Sequence, residues 1–249
     1  MAQGVGRNKD GTQRTKGTNT IFFIPASKVP FGCKVTYIRK VCTYRPNKVE
    51  PNRTRFTAMG NFITDYTGEI STQTAGLELI KMHWNSVLST NKAKYMIMDI
   101  SNMYLSTLLD RFGYMRMKLT EFPQEIINEY NLNDLVNNHG WIYMEIRKAL
   151  PGLCQSGALA AKKLAADLKP FGYYQVPKTN GLWKHESRQI SFTLVVDNFG
   201  VSYVDKADAL HLEESVLVVI IVCILDYLEV LFERVNASKN ETFYTFQLR

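Results

Sequence analysis

The chain reads as an α+β fold, with helices packed on one face of a largely antiparallel sheet. Two apolar runs rich in strand formers carry this reading, Lys94-Tyr-Met-Ile-Met-Asp99 and Ser191-Phe-Thr-Leu-Val-Val-Asp197. Each has the length and composition of a buried strand. A third observation is the change of period between 74 and 89, where Leu77, Ile80, Trp84, Val87 and Leu88 recur at helical spacing and give one apolar face. Strands and helices then alternate irregularly along the chain, which suits segregated layers rather than repeated strand–helix–strand units.

Residues 1–19, with Arg7, Lys9, Arg14 and Lys16 among Gly and Thr, read as a flexible basic arm. Thr20–Pro25, Lys34–Thr43 and Arg53–Thr57 are short strands, the last two separated by a turn over Pro46–Pro51. Together they make residues 20–70 a basic, β-rich part, and residues 71–214 a mixed part. Pro123 opens a short helix to Tyr130, since its missing N–H costs nothing at a helix start. Asn137-Asn-His-Gly140 is a turn, and Trp141–Ile146 alternates as a strand. Ser156 has the chemistry of an N-cap for a helix to Leu168, whose Ala160, Leu164 and Leu168 share one side before Pro170 and Gly172. Ile190–Val196 and Val201–Val204 flank Asp197-Asn198-Phe199-Gly200, a tight hairpin. Residues 215–249 form an apolar and then polar tail.

With 249 residues, 45% hydrophobic and 21% charged, the chain is long enough to bury a sizeable core. A net charge of +7 and a pI near 9.1 lean toward a polyanionic partner, because phosphate neutralisation supplies most non-specific nucleic-acid affinity. The four cysteines show neither C-x-x-C pairing nor zinc spacing and read as reduced thiols of an intracellular protein, cytoplasmic or nuclear. The N-terminus has no apolar stretch of a secretory signal, so the sequons at Asn52, Asn236 and Asn240 are read as accidental and the protein as not secreted. Only Val216–Leu225 is continuously apolar, too short to span a bilayer, so no membrane partner is expected.

The chemistry-bearing feature is a carboxylate at the end of each long apolar run, Asp99 and Asp197. Singly, such residues are turn formers or caps. Their order among other motifs is more specific. Arg53-Thr-Arg55-Phe-Thr, Asp99-Ile-Ser-Asn-Met-Tyr104-Leu, Tyr114-Met-Arg-Met117, Arg147-Lys-Ala-Leu-Pro-Gly152-Leu-Cys-Gln155-Ser, Leu168-Lys-Pro-Phe-Gly172-Tyr173, Gly181-Leu-Trp183 and Val195-Val-Asp197-Asn198 follow one another along residues 20–214. In this order they resemble the reverse transcriptase of copia-type LTR retrotransposons.

The resemblance implies a right-hand polymerase-like fingers and palm: residues 20–70 as fingers, 71–214 as mixed fingers and palm, and no thumb. It implies an RNA-directed DNA polymerase, a nucleotidyltransferase acting on dNTPs and a primer on an RNA or DNA template. Mg2+, or Mn2+ as a substitute, would be the cofactor, since two-metal transfer needs hard oxygen ligands. Asp99 and Asp197 would be the catalytic ligands, joined by the backbone carbonyl of Ile100. Tyr104 would pack on the sugar of the incoming nucleotide and exclude a 2′-hydroxyl. Arg55 would contact the triphosphate, Arg53 would assist as a phosphate contact, and Gln155 would lie against the nucleotide.

Three departures qualify this. Asn198 stands where the family has a second Asp, which makes it a weak or lost ligand; one charge pair at about 4 Å is worth roughly 4 kcal/mol at an effective dielectric of 20. Cys154 replaces the usual Lys or Pro as a tolerated loop change. Beyond Ser215 the resemblance fails. The alternative is therefore a catalytically inactive retroelement remnant that at most binds nucleic acid, and an unrelated basic domain is the third reading.

Overall fold

The computed structural model describes residues 1–46, 51–100, 102–225 and 245–247. In chain order the elements are β1 (Gly4–Arg7), β2 (Gln13–Lys16), β3 (Ile21–Ile24), β4 (Val35–Tyr44), β5 (Asn52–Ala58), α1 (Leu77–Ser89) and β6 (Lys94–Asp99). Next come β7 (Leu108–Lys118), α2 (Gln124–Glu129), α3 (Leu132–Leu135), β8 (Trp141–Lys148) and α4 (Ser156–Leu168). The chain ends in β9 (Tyr173–Gln175), β10 (Leu182–His185), β11 (Ile190–Val195), β12 (Asn198–Tyr203), α5 (Lys206–Leu225) and β13 (Thr245–Gln247). The fold class is α+β: among the described strand pairs only β4 with β7 and β13 with β6 are parallel. The residues divide into two units, Met1–Ile70 with Thr107–Leu159, and Ser71–Ser106 with Ala160–Arg249.

The first unit is built on a five-stranded sheet in the order β3-β8-β7-β4-β5. Strict alternation in β8 buries Ile142, Met144 and Ile146, while Trp141, Tyr143, Glu145 and Arg147 stay half-exposed on the other face. Met115 and Met117 of β7 continue the buried face, and α3 packs there against β3 and β8 through Leu132. From Arg39 outward, β4 and β5 form a ribbon most of whose residues are exposed on both faces. The expected turn at Pro46–Pro51 falls largely on residues outside those described.

Residues 1–19 are not the flexible arm expected. β1 and β2 pair as a hairpin, Tyr130 donates its hydroxyl proton to the carbonyl of Gly4, and Arg14 pairs with Glu125 of α2. The composition was that of a solvated segment, but the backbone donors and acceptors found partners in the hairpin and on this unit.

The loop before α4 is held tightly. Ala58 donates its N–H to the carbonyl of Pro151 at 2.9 Å, and Gly152 sits at φ +97° where a Cβ would overlap the Ala58 carbonyl oxygen. Ser156 is the first residue of the helix rather than its cap. Its hydroxyl accepts from Leu150 N–H at 3.0 Å and donates to the Leu150 carbonyl at 2.8 Å, closing the loop on itself.

The second unit is a six-stranded sheet ordered β13-β6-β12-β11-β10-β9. Met96 and Met98 of β6, Phe199 and Val201 of β12, and Phe192 and Leu194 of β11 share a face and bury against Ala160, Leu164 and Leu168 of α4 and Ala209, Leu212 and Val216 of α5. Each of these larger side chains contributes about 1.5–3 kcal/mol on burial. The opposite face takes α1: His83 meets Ser191 across 2.9 Å and rests beside the Tyr95 ring. Helices therefore cover both faces of this sheet, a correction to the single covered face expected.

The buried stripe of α1 also differs from expectation. His83 is its buried residue, while Leu77, Trp84 and Leu88 are 60%, 55% and 83% exposed. Helical periodicity identified the element, but the sheet selected the polar-tipped histidine that could reach Ser191.

The apolar start of the 215–249 tail lies in α5, with Ser215 bonded to the His211 carbonyl and Val216 buried in the core. Among the described residues no helix is long and apolar enough to cross a membrane. The sequons at Asn236 and Asn240 lie outside the described residues.

Two histidines of this unit titrate below their ordinary value of 6.5: His83 chiefly through burial, and His211 through burial and then the charges of Arg188 and His185. A lowered folded pKa means that the unfolded chain binds protons first as pH falls. Stability is therefore full above about pH 6.5 and declines below it. Thermal melts between pH 7.5 and 5.5 should show a falling midpoint, and the double variant His83→Gln, His211→Gln should flatten that slope.

Candidate functional site

β6 and β12 pair antiparallel over their whole length, Tyr203 opposite Lys94 and Asn198 opposite Asp99. Residues facing each other in this way have Cβ atoms about 4.5–5.5 Å apart. The register therefore brings Asp99 beside the β11–β12 hairpin that carries Asp197. That hairpin is tighter than expected and sits two residues earlier: Val195 pairs with Asn198, leaving Val196 and Asp197 as the loop. A bond from Ile100 N–H to the Asp197 carbonyl, 3.0 Å, fastens the loop to the end of β6.

Val196 occupies the first loop position at φ +60°. Two-residue hairpin loops need positive φ there to match the twist of the strands, and glycine normally supplies it. A β-branched residue in this region is a true outlier, costing on the order of 1–3 kcal/mol. The β11–β12 and β12–β6 ladders hold the strain in place. Outliers of this kind concentrate at functional sites.

Asp99 and Asp197 are both half-buried and Asn198 is exposed. The amide nitrogen of Asn198 donates to Oδ1 of Asp197 at 2.8 Å. The residue expected as a weak or lost ligand thus acts as a donor to its neighbour. An aspartate there would set a second negative charge against Asp197, which raises the pKa of one carboxylate or favours a shared cation. Tyr104, half-buried in the turn after β6, has its phenol pKa raised, first by burial and then by the charge of Asp197. The phenol therefore stays protonated and neutral at physiological pH.

The second unit thus gathers Asp99, Ile100, Tyr104, Asp197 and Asn198. The other three expected residues belong to the first unit. Arg53 and Arg55 are exposed on one face of β5, opposite Thr43 and Val41 of β4. Arg39, opposite Thr57, lies on the same ribbon face by register. The sequence reading missed it, although period-2 spacing from Val41 carries the signal. Gln155 is 2% exposed, and its amide oxygen accepts from the Cys154 thiol at 3.2 Å.

Among the described residues no group of three or more His, Cys, Asp or Glu side chains gathers as a metal cage. The donor set at this corner is two carboxylates and backbone carbonyl oxygens, which fits a magnesium ion that completes its shell with water and substrate phosphate. It lacks the histidine and cysteine donors on which protein zinc sites are mainly built. No protein-family model matches the chain, and no curated protein matches it.

The Asn198 contact makes a measurable statement. Asn198→Asp should lower the melting temperature in chelator by about 3 °C, equivalent to about 1 kcal/mol for a chain of this size. Added Mg2+ or Mn2+ should recover that loss and stabilise the variant more than the parent, as read by differential scanning fluorimetry.

Proposed function

We propose that the chain is the fingers and palm of an RNA-directed DNA polymerase of copia type, joining dNTPs to a primer 3′-hydroxyl. The observation that carries this reading is the β6–β12 register, which sets Asp99 against the hairpin of Asp197, with Tyr104 in the turn that follows β6. Two acidic residues far apart in sequence meet at one sheet end, next to a strained turn.

In this reading Asp99, Asp197 and the Ile100 carbonyl hold the divalent metal. When bound, the metal stabilises the charge that develops on the attacking and leaving oxygens. Tyr104, kept neutral, offers a ring to the deoxyribose and a wall against a 2′-hydroxyl. Arg55, with Arg53 assisting, contributes guanidinium groups suited to bidentate phosphate binding. Gln155, buried as it is, acts as a positioning residue for the loop rather than as a direct contact.

A second reading, an inactive retroelement remnant that retains nucleic-acid affinity, has its own observation. The Asn198 amide already satisfies one oxygen of Asp197, a role otherwise open to a cation.

Primer extension on an RNA template with Mg2+ or Mn2+ decides between them. The polymerase reading expects incorporation that Asp99→Ala reduces at least a thousandfold and Asn198→Asp raises at least tenfold. Silence from parent and Asn198→Asp alike supports the remnant. In an active background, Tyr104→Val should raise ribonucleotide incorporation relative to deoxyribonucleotide by at least tenfold, scored by alkali-sensitive product.

A further inference from the structure

The outward face of the first unit's sheet is unlike an ordinary solvated face. Along β8 the half-exposed positions are Trp141, Tyr143, Glu145 and Arg147, and across the β7 register they meet Lys118, Arg116 and Tyr114. Rings and cations are interleaved. The Arg116 guanidinium lies 4.9 Å from the Tyr37 ring centre and 4.7 Å from that of Trp141, and Lys118 stands 4.2 Å from Trp141. Two rows on, the Arg147 guanidinium lies 3.9 Å from the Phe22 ring and 5.4 Å from Phe112.

Each cation keeps its charge when it stacks on a ring. Glu145 is the one carboxylate among these rows, and Arg147 neutralises it at 2.7 Å. The face therefore stays net positive. It is open at one end, where the Arg147 side chain is 43% exposed and Phe112 43% exposed, half-exposed along the Trp141 and Tyr143 rows, and closed at the buried Tyr114. Four rows along β8 span about 20 Å at 3.3 Å per residue.

We propose that this face is a stacking platform for single-stranded nucleic acid. Aromatic rings and guanidinium planes accept unpaired bases without regard to sequence, and interleaved cations track the phosphates. A duplex hides its base faces and presents only phosphates to a flat sheet. An acidic peptide would satisfy the cations but leave the rings unused. The proposal does not depend on the metal corner, because it uses neither Asp99 nor Asp197.

The test is fluorescence anisotropy of the full-length chain with labelled oligo(dT), oligo(U) and a duplex of equal length, in chelator and without dNTPs. Both single strands should bind at least tenfold more tightly than the duplex. Arg147→Ala with Phe112→Ser should weaken single-strand binding at least tenfold with an unchanged thermal midpoint. Lys118→Ala should reduce the salt slope by about 0.7. Ultraviolet crosslinking should place adducts on Phe112, Trp141 or Tyr143. Equal affinity for duplex, an unmoved affinity in the double variant, or crosslinks confined to other residues overturns the proposal. Asp99→Ala, run alongside, should leave oligonucleotide binding intact, so failure of the polymerase reading and failure of this one are told apart.

Discussion

The pairing of β6 with β12 is the constraint on which the second unit depends. It joins two segments distant in sequence, buries Met96 and Met98 against Val201 and Phe199, and fixes which residue faces Asp99. A slip of one residue would turn every buried side chain outward. The same apolar packing that stabilises the sheet therefore sets the position of its polar end. The Ile100–Asp197 bond and the strained Val196 turn are consequences of that register, held by a core that can sustain them.

Asn198 gives the corner its particular character. With an aspartate in its place, two neighbouring carboxylates would repel, and the pKa of one of them would rise. With asparagine in that position the hairpin is internally satisfied, its amide bonding one oxygen of Asp197.

The first unit uses a different device. Its sheet has an apolar face closed by helix and loop, and a second face on which rings and cations stack on each other. Stacked guanidinium groups let charged residues cover aromatic surface without burying an unpaired charge. The loop from Ala149 to Ser156 locks onto the end of β5 through backbone contacts that need Gly152, and that lock encloses Gln155.

Local patterning in the sequence determined the strands that end at Asp99 and begin at Ile190, the helices from Leu77 and Ser156, and the identity of the two acids. Period-2 and period-3.6 repeats and a few punctuating prolines and glycines are enough for that. Only the tertiary structure decided the rest. The N-terminal hairpin carries no apolar alternation and forms because this unit offers it partners. The exposed face of α1 and the covering of both sheet faces depend on which residues the sheet can accept. α5 continues past residue 215 because Val216 finds a place in the core. The donor role of Asn198 was hidden because a side chain's partner is fixed by register, and register is a property of two strands together rather than of either one.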